Sequence, residues 1–226
     1  MQEEHPAAGA WTSALVAEFV GTAFLLIGVV GSGIMAERLS EDVGLQLLEN
    51  SIATGGILVA LILAFASASG AHFNPAVSLF ERLHGNLSTP ALAQYIAAQV
   101  AGGFVGTVCA NVMFELDPVH LSTKDRSSVA LVFSEVIATI GLLIVIAGVV
   151  RSGQGRFVAF AVGGYIGGAY WFTSSTSFAN PAVTFARMFS DSFAGIEPAS
   201  APAFIAAQIV GALLAVGFIR LTHPPG

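Results

Sequence analysis

The sequence predicts an all-α integral membrane protein, with six transmembrane helices and two re-entrant half-helices arranged as an inverted internal repeat. Three observations predict it. Of 226 residues, 55% are hydrophobic and only 10% are charged, whereas an ordinary soluble domain carries roughly 25% charged residues. Six apolar runs, at 11–36, 47–68, 90–114, 127–150, 156–174 and 201–221, reach the length of about 20 residues that a helix needs to cross a bilayer. The phrase "AHFNPAVSLF" at 71–80 returns as "SFANPAVTFA" at 177–186, and each copy breaks an apolar stretch with Asn followed by a helix-breaking Pro.

The first run follows "MQEEHPAAGA", an acidic start without a basic n-region, so it reads as a retained span rather than a cleaved signal peptide. After the second run, residues 70–85 stay apolar but are too short to cross again once Asn74-Pro75-Ala76 breaks them. They read as a half-helix starting at Pro75, where a helix can begin without losing a needed amide donor. The third run starts at Pro90, behind Ser88 and Thr89. The fourth and fifth are joined by a short, acid-free loop holding Arg151 and Arg156. Residues 176–190 read as a second half-helix starting at Pro181, and the last run starts at Pro202 behind Ser200. Irregular backbone at membrane depth is tolerated only where protein buries it or where it lines a wet cavity. Two broken segments therefore imply a cavity.

The halves are related. "YIAAQVAG" at 95–102 matches "FIAAQIVG" at 204–211, and the pairs Glu18 with Glu135 and Asn74 with Asn180 recur in the same order. The chain reads as one membrane domain over 1–226, with a first repeat at 1–115 and a second at 116–226. Three spans per half make the second half insert upside down, and paired interrupted segments in such halves point to a site at the membrane midplane. With both termini on one side, that side receives Arg82, Arg151, Arg156 and Arg220, and the other Arg38, Lys124, Arg126 and Arg187. The count is a tie. The Arg151–Arg156 loop breaks it and places both termini in the cytoplasm, in the cell's inner membrane.

The net charge of −6 argues against a nucleic-acid partner. Cys109 is the single cysteine, so an internal disulfide is excluded. No second His or Cys stands at ligand spacing from His72, so no metal is expected. The chain carries no nucleophile elbow and no phosphate loop, so neither a cofactor nor an enzyme activity is expected.

A half-helix that starts at the midplane leaves its first amides unsatisfied and carries about half a positive charge there. Two of them meeting head to head suit a cation barrier in an aqueous pore. Asn74 and Asn180 can each cap their own helix through the side-chain carbonyl and still offer amide donors to a passing solute. The duplicated boxes (Asn74, Pro75, Ala76 and Asn180, Pro181, Ala182), the "SGAHFNPAV" context, the "AEFVGT" of the first span and the six spans together resemble the major intrinsic protein family, the aquaporins and aquaglyceroporins. The resemblance covers nearly the whole chain. It implies a homotetramer with one passive pore per subunit, the two Asn residues at a central constriction, and Glu18 and Glu135 supporting the loops that lead into the half-helices.

The same resemblance carries a selectivity filter over to Thr54, Gly168, Ser177 and Val183. Most family members have Arg where this chain has Val183. Four small uncharged residues imply a wide filter, suited to glycerol-like polyols, urea or neutral metalloid hydroxides such as arsenous acid. The stretch "FTSSTSFANPAVTFAR" resembles a bacterial subgroup associated with arsenical permeation. Arg187 lies four residues after Val183 on the same helix face, and helical side chains lean toward the N-terminus. It either supplies the missing charge from one turn further out or snorkels at the membrane surface. His72 reads as a loop-packing or pore-wall hydrogen-bonder, Gln99 and Gln208 as hydrogen-bonders between helices, and the paired glycines of "GGYIGG" at 163–168 as close helix packing. His84 reads as a solvated loop residue.

Other functions share parts of this pattern. A secondary active transporter also uses inverted repeats and broken helices, and would employ Glu18 and Glu135 as coupling carboxylates. A strict water channel and a closed structural junction protein are further alternatives.

Overall fold

Each apolar run is helical in the computed structural model, which describes residues 8–222. The acidic stretch read as no signal peptide lies, up to residue 7, outside the described residues. Among the described residues there are eight α-helices and no strand: α1 (Ala8–Leu39), α2 (Val43–Ser69), α3 (Pro75–Leu83), α4 (Thr89–Met113), α5 (Val129–Arg151), α6 (Val158–Phe172), α7 (Pro181–Ala186) and α8 (Ala201–Thr222). The helix starts follow capping chemistry. Asp42 accepts from the Gly44 and Leu45 amides at 2.8 and 3.1 Å, Ser88 caps α4 and Ser128 caps α5. Gly70, at φ 84°, ends α2 in the left-handed conformation that glycine adopts without strain.

Helices α1, α2, α4, α5 and α8 are long and apolar enough to cross a membrane. The fifth span in chain order, α6, is shorter than its apolar run. Helix α6 has 15 residues and is preceded by a 3-10 turn at Gly155–Phe157, which together extend about 28 Å, close to the hydrocarbon thickness of about 30 Å. It stops at Phe172 because Thr173 turns extended, with its hydroxyl bonded back to the Ala169 carbonyl at 2.6 Å. Ser/Thr hydroxyls in the following "TSST" compete with the helix for such groups.

Lipid offers no hydrophobic drive for one helix to leave it for another, so contact depends on close packing of small residues. Helix α4 meets α1 backbone to backbone. A Cβ on Gly102 would fall 2.2 Å from the Phe19 carbonyl oxygen, and one on Gly106 would fall 2.1 Å from that of Ala23. The second half repeats the device, with Gly211 of α8 against the Val136 carbonyl of α5. Helices α2 and α6 meet at Gly55 and Gly163, the close packing expected of the paired glycines. Both half-helices, α3 and α7, pack between α4 and α8 and touch one another. Large apolar side chains such as Phe24, Leu63, Phe133 and Phe218 cover the outside.

Gly106→Ala is expected to force α1 and α4 apart and cost about 2 kcal/mol or more. Gly217→Ala, where the added methyl meets open space, is the control. The check is thermal unfolding in detergent, where only Gly106→Ala should lower the midpoint by several degrees.

Candidate functional site

The site is built where the two half-helices meet. Asn74 and Asn180 hold nearly the same backbone conformation, φ −155°, ψ 117° and φ −157°, ψ 113°. The Asn74 side-chain oxygen Oδ1 accepts from the Ala76 amide at 2.8 Å, and Asn180 Oδ1 from the Ala182 and Val183 amides at 3.0 and 3.2 Å. Pro75 and Pro181 follow as the first helical residues. The side-chain amides then reach across: Asn74 Nδ2 donates to the Ala179 carbonyl and Asn180 Nδ2 to the Phe73 carbonyl, both at 2.8 Å. Each carboxamide has two N–H donors, so one on each Asn remains for a solute.

The loops leading into the half-helices are strained. Ala71, Phe73, Thr176, Ser177 and Ala179 all have φ between 47° and 64°, a region unfavourable for residues with a Cβ. Glu18 and Glu135, both fully buried, hold them there. Glu18 accepts from Ser69 Oγ, the His72 and Phe73 amides and Gln99 Nε2. Glu135 accepts from the Phe178 and Ala179 amides and Gln208 Nε2. The two glutamines thus bond between helices, as their sequence positions suggested. His72 pairs with Ser78 Oγ at 3.0 Å and packs on Tyr95. His84 is not a solvated loop residue: it ends α3 and stacks on Phe80 with ring centroids 4.2 Å apart.

A cavity of about 620 Å³ runs from Glu81 and Arg156 at one end, past His72, Asn74 and Asn180, to Ser177, Val183 and Arg187 at the other. Leu25, Leu58, Leu142 and Ile166 form much of its apolar wall. Neither Glu18 nor Glu135 lines it. Of the four filter positions, Thr54, Ser177 and Val183 are buried and face the cavity. Gly168 does not. It is exposed on the outer face of α6, and Tyr170 lines the cavity instead. The expectation for Gly168 came from counting back from Asn180 through a loop of assumed length. Two residues are about 200° on a helix, so the miscount selects the opposite face.

Tyr170 hydroxyl lies 3.0 Å from Thr54 Oγ1, joining α6 to α2 inside the cavity. The opening is therefore narrower and more polar than four small side chains imply. Ser177 Oγ is buried without a protein partner. Arg187 is 1% exposed, so it does not snorkel. Its Nε donates to the Ala194 carbonyl and its guanidinium lies 3.4 Å from the Phe178 ring centroid. Among the described residues no group of three or more His, Cys, Asp or Glu is placed to hold a metal.

Comparison with known proteins agrees with this architecture. Residues 7–167 match the family model of the major intrinsic proteins, a match that ends before the second box. The chain is 48% identical over 214 residues to the aquaglyceroporin AqpS of Rhizobium meliloti, covering 95% of this chain and 91% of that one. It is 41% identical over 88 residues to aquaporin Z of Brucella melitensis, covering 39% and 38% of the two chains. Among solved structures, the aquaglyceroporin from Plasmodium falciparum shares the fold, with a TM-score of 0.73 at 24% identity over 95% of this chain and 98% of that one.

Gly168 and Tyr170 make separable predictions. Gly168→Val adds bulk on the outer face of α6 and is expected to leave solute flux within about twofold. Tyr170→Ala opens the cavity at the Thr54 contact and should raise the ratio of glycerol to water flux by roughly tenfold, since pore diameter and lining donors set what passes. Light scattering from proteoliposomes carrying each variant measures both.

Proposed function

Because the chain belongs to the major intrinsic protein family and is thus a multi-pass membrane channel for small solutes, we propose that its solutes are of the aquaglyceroporin type. These are glycerol-like polyols, urea, neutral metalloid hydroxides such as arsenous acid, and water. The observation that supports the reading is a single cavity lined by Asn74 and Asn180 and also by Thr54, Tyr170, Ser177, Val183 and Arg187. Thr54, Tyr170 and Ser177 hydroxyls and the Arg187 guanidinium offer hydrogen bonds, while Val183 offers apolar surface. A polyol has the matching duality, hydroxyls along one edge and C–H bonds along the other.

At the centre, Asn74 and Asn180 each keep one amide hydrogen for a solute oxygen, and the half-helix N-termini disfavour a cation there. Passage is downhill and needs no coupling ion. Saturation of Glu18 and Glu135 by loop and glutamine donors, away from the cavity, supports scaffold roles over those of coupling carboxylates in an active transporter. The chain works as one domain with repeats 1–115 and 116–226, in four copies with one pore each. It sits in the inner membrane with both termini cytoplasmic. Family membership supports the tetramer, as does an apolar groove on the outer face of α2 and α6 lined by Leu48, Gly56, Gly164 and Trp171. The Arg151–Arg156 loop supports the orientation.

One observation favours a second reading. The Thr54–Tyr170 hydrogen bond beside Arg187 narrows the constriction, which suits a strict water channel. Stopped-flow light scattering on proteoliposomes decides, comparing water, glycerol and arsenous acid, with Val183→Arg in parallel. Fast glycerol or arsenous acid flux that Val183→Arg cuts by roughly tenfold while water still passes is the expected result. Water flux with both solutes excluded from the unmodified protein would overturn the polyol reading in favour of the second.

A further inference from the structure

Three consecutive carbonyls beyond the second half-helix are each held by a different cation. Lys124 Nζ donates to Phe193 O at 2.8 Å, Arg187 Nε to Ala194 O, and Arg126 Nε to Gly195 O at 2.9 Å. Two of these cations come from the loop joining α4 to α5 and one from the end of α7. Arg126 is 6% exposed and is fixed further by Ser175 O at 3.1 Å and, through its own amide, by Ser200 Oγ at 3.0 Å. Its guanidinium lies over the same Phe178 ring as that of Arg187, at 4.9 Å from the centroid.

Among the described residues none of the three cations is in an ion pair with a carboxylate. Asp191 and Glu197, the acids nearest in sequence to those carbonyls, have other partners: Asp191 the Thr123 amide and hydroxyl and Ser122, and Glu197 the Ser200 hydroxyl. These carbonyls fix one N–H of Lys124, one of Arg187 and two of Arg126 and leave the full charges uncancelled. Buried charges are screened far less than exposed ones, so at this mouth of the cavity the three cations weigh more than the exposed Asp125 that lies between Lys124 and Arg126 in sequence. Glu37 and Asp191 offset part of it at Lys124, and Glu135 part of it at the arginines. Burial, followed by repulsion from Arg126 and Arg187, pushes Lys124 down to about 8. Burial pushes Arg126 down to about 10, so it stays charged at neutral pH.

We propose that Arg126, with Arg187 and Lys124, forms a cationic collar that keeps protons and other cations out of the pore, supplying the charge that Val183 does not. Arg187 faces the solute. Arg126 stands behind it, not lining the cavity, and determines specificity through its charge and through the hold it keeps on Ser175, Phe178 and Gly195. This inference rests on the channel reading.

The test is proton leak relative to neutral flux in proteoliposomes. A trapped pH dye reports protons, and light scattering reports whichever of water, glycerol or urea the unmodified protein passes fastest. Arg126→Gln removes the charge and should raise the ratio on the order of tenfold, the scale set by one charge acting over about 12 Å through an effective dielectric of about 20. Arg126→Lys keeps the charge and should stay within about threefold of the unmodified protein, on the same electrostatic argument. Lys124→Met, at a half-buried loop position, should raise the ratio severalfold and decides alone if Arg126→Gln does not fold. Unchanged ratios in the charge-removing variants overturn the collar, as does an Arg126→Lys leak equal to that of Arg126→Gln, which would make Arg126 a purely structural clasp. No neutral flux from the unmodified protein overturns the channel reading itself, and that result appears before any variant is compared.

Discussion

The reciprocal pair of hydrogen bonds between the boxes, Asn74 to the Ala179 carbonyl and Asn180 to the Phe73 carbonyl, is the constraint on which the rest of the site depends. It ties the two re-entrant loops together at the one depth where neither has a regular helix or sheet to satisfy it. An unpaired backbone carbonyl in a lipid-like interior costs several kcal/mol. The latch removes two such costs at once, and it fixes the direction in which each Asn presents its remaining amide hydrogen.

The latch requires strained loops, and the strain needs a counterweight. Residues on both sides sit at positive φ with side chains, at an expense on the order of 1–3 kcal/mol each. Two helix N-termini also meet with like partial charges. Glu18 and Glu135 answer both problems. Each is a buried negative group close to the loops, and each accepts successive loop amides: His72 and Phe73 in the first half, Phe178 and Ala179 in the second. A buried carboxylate is itself costly unless hydrogen bonds surround it. Gln99 and Gln208 complete the set, and their hydroxyl neighbours Ser78 and Thr184 lie on the half-helices themselves. Span, loop and half-helix therefore form one connected polar network within each half.

Much of this was legible in the sequence because it is written in strong, local signals. Hydropathy marks the spans, Pro75 and Pro181 mark where the half-helices start, and the order of Glu, Asn-Pro-Ala and Gln in each half marks the repeat. The constriction was less legible. Identifying its α6 member required counting through "TSST", whose hydroxyls end the helix early, and an error of two residues there replaced Tyr170 with Gly168. The backbone contacts at Gly102 and Gly106 were missed because glycine in an apolar run carries no side chain to mark its neighbour. Arg126 was counted only as a basic residue on one side of the membrane. A cation in a polar loop looks solvated until the fold buries it, and nothing nearby in sequence announces that Ser175 and Gly195 will receive its N–H groups.

Placing the charge on Arg187 and Arg126 instead of on residue 183 has a structural consequence. A filter arginine contributes bulk and charge at one point, so the size of the opening and its sign cannot change independently. Here Val183 leaves an apolar wall at that point, and Thr54 and Tyr170, joined through their hydroxyls, line the cavity from α2 and α6. Arg187 follows four residues later, its backbone about 6 Å along the axis at 1.5 Å per residue, and its guanidinium is held by the Ala194 carbonyl and the Phe178 ring rather than by an acid. An acid partner would have cancelled the field that the opening needs. Backbone carbonyls fix the position of the charge and leave its sign intact, so in the collar we propose, the charge that sorts solutes stands apart from the side chains that face them at residue 183.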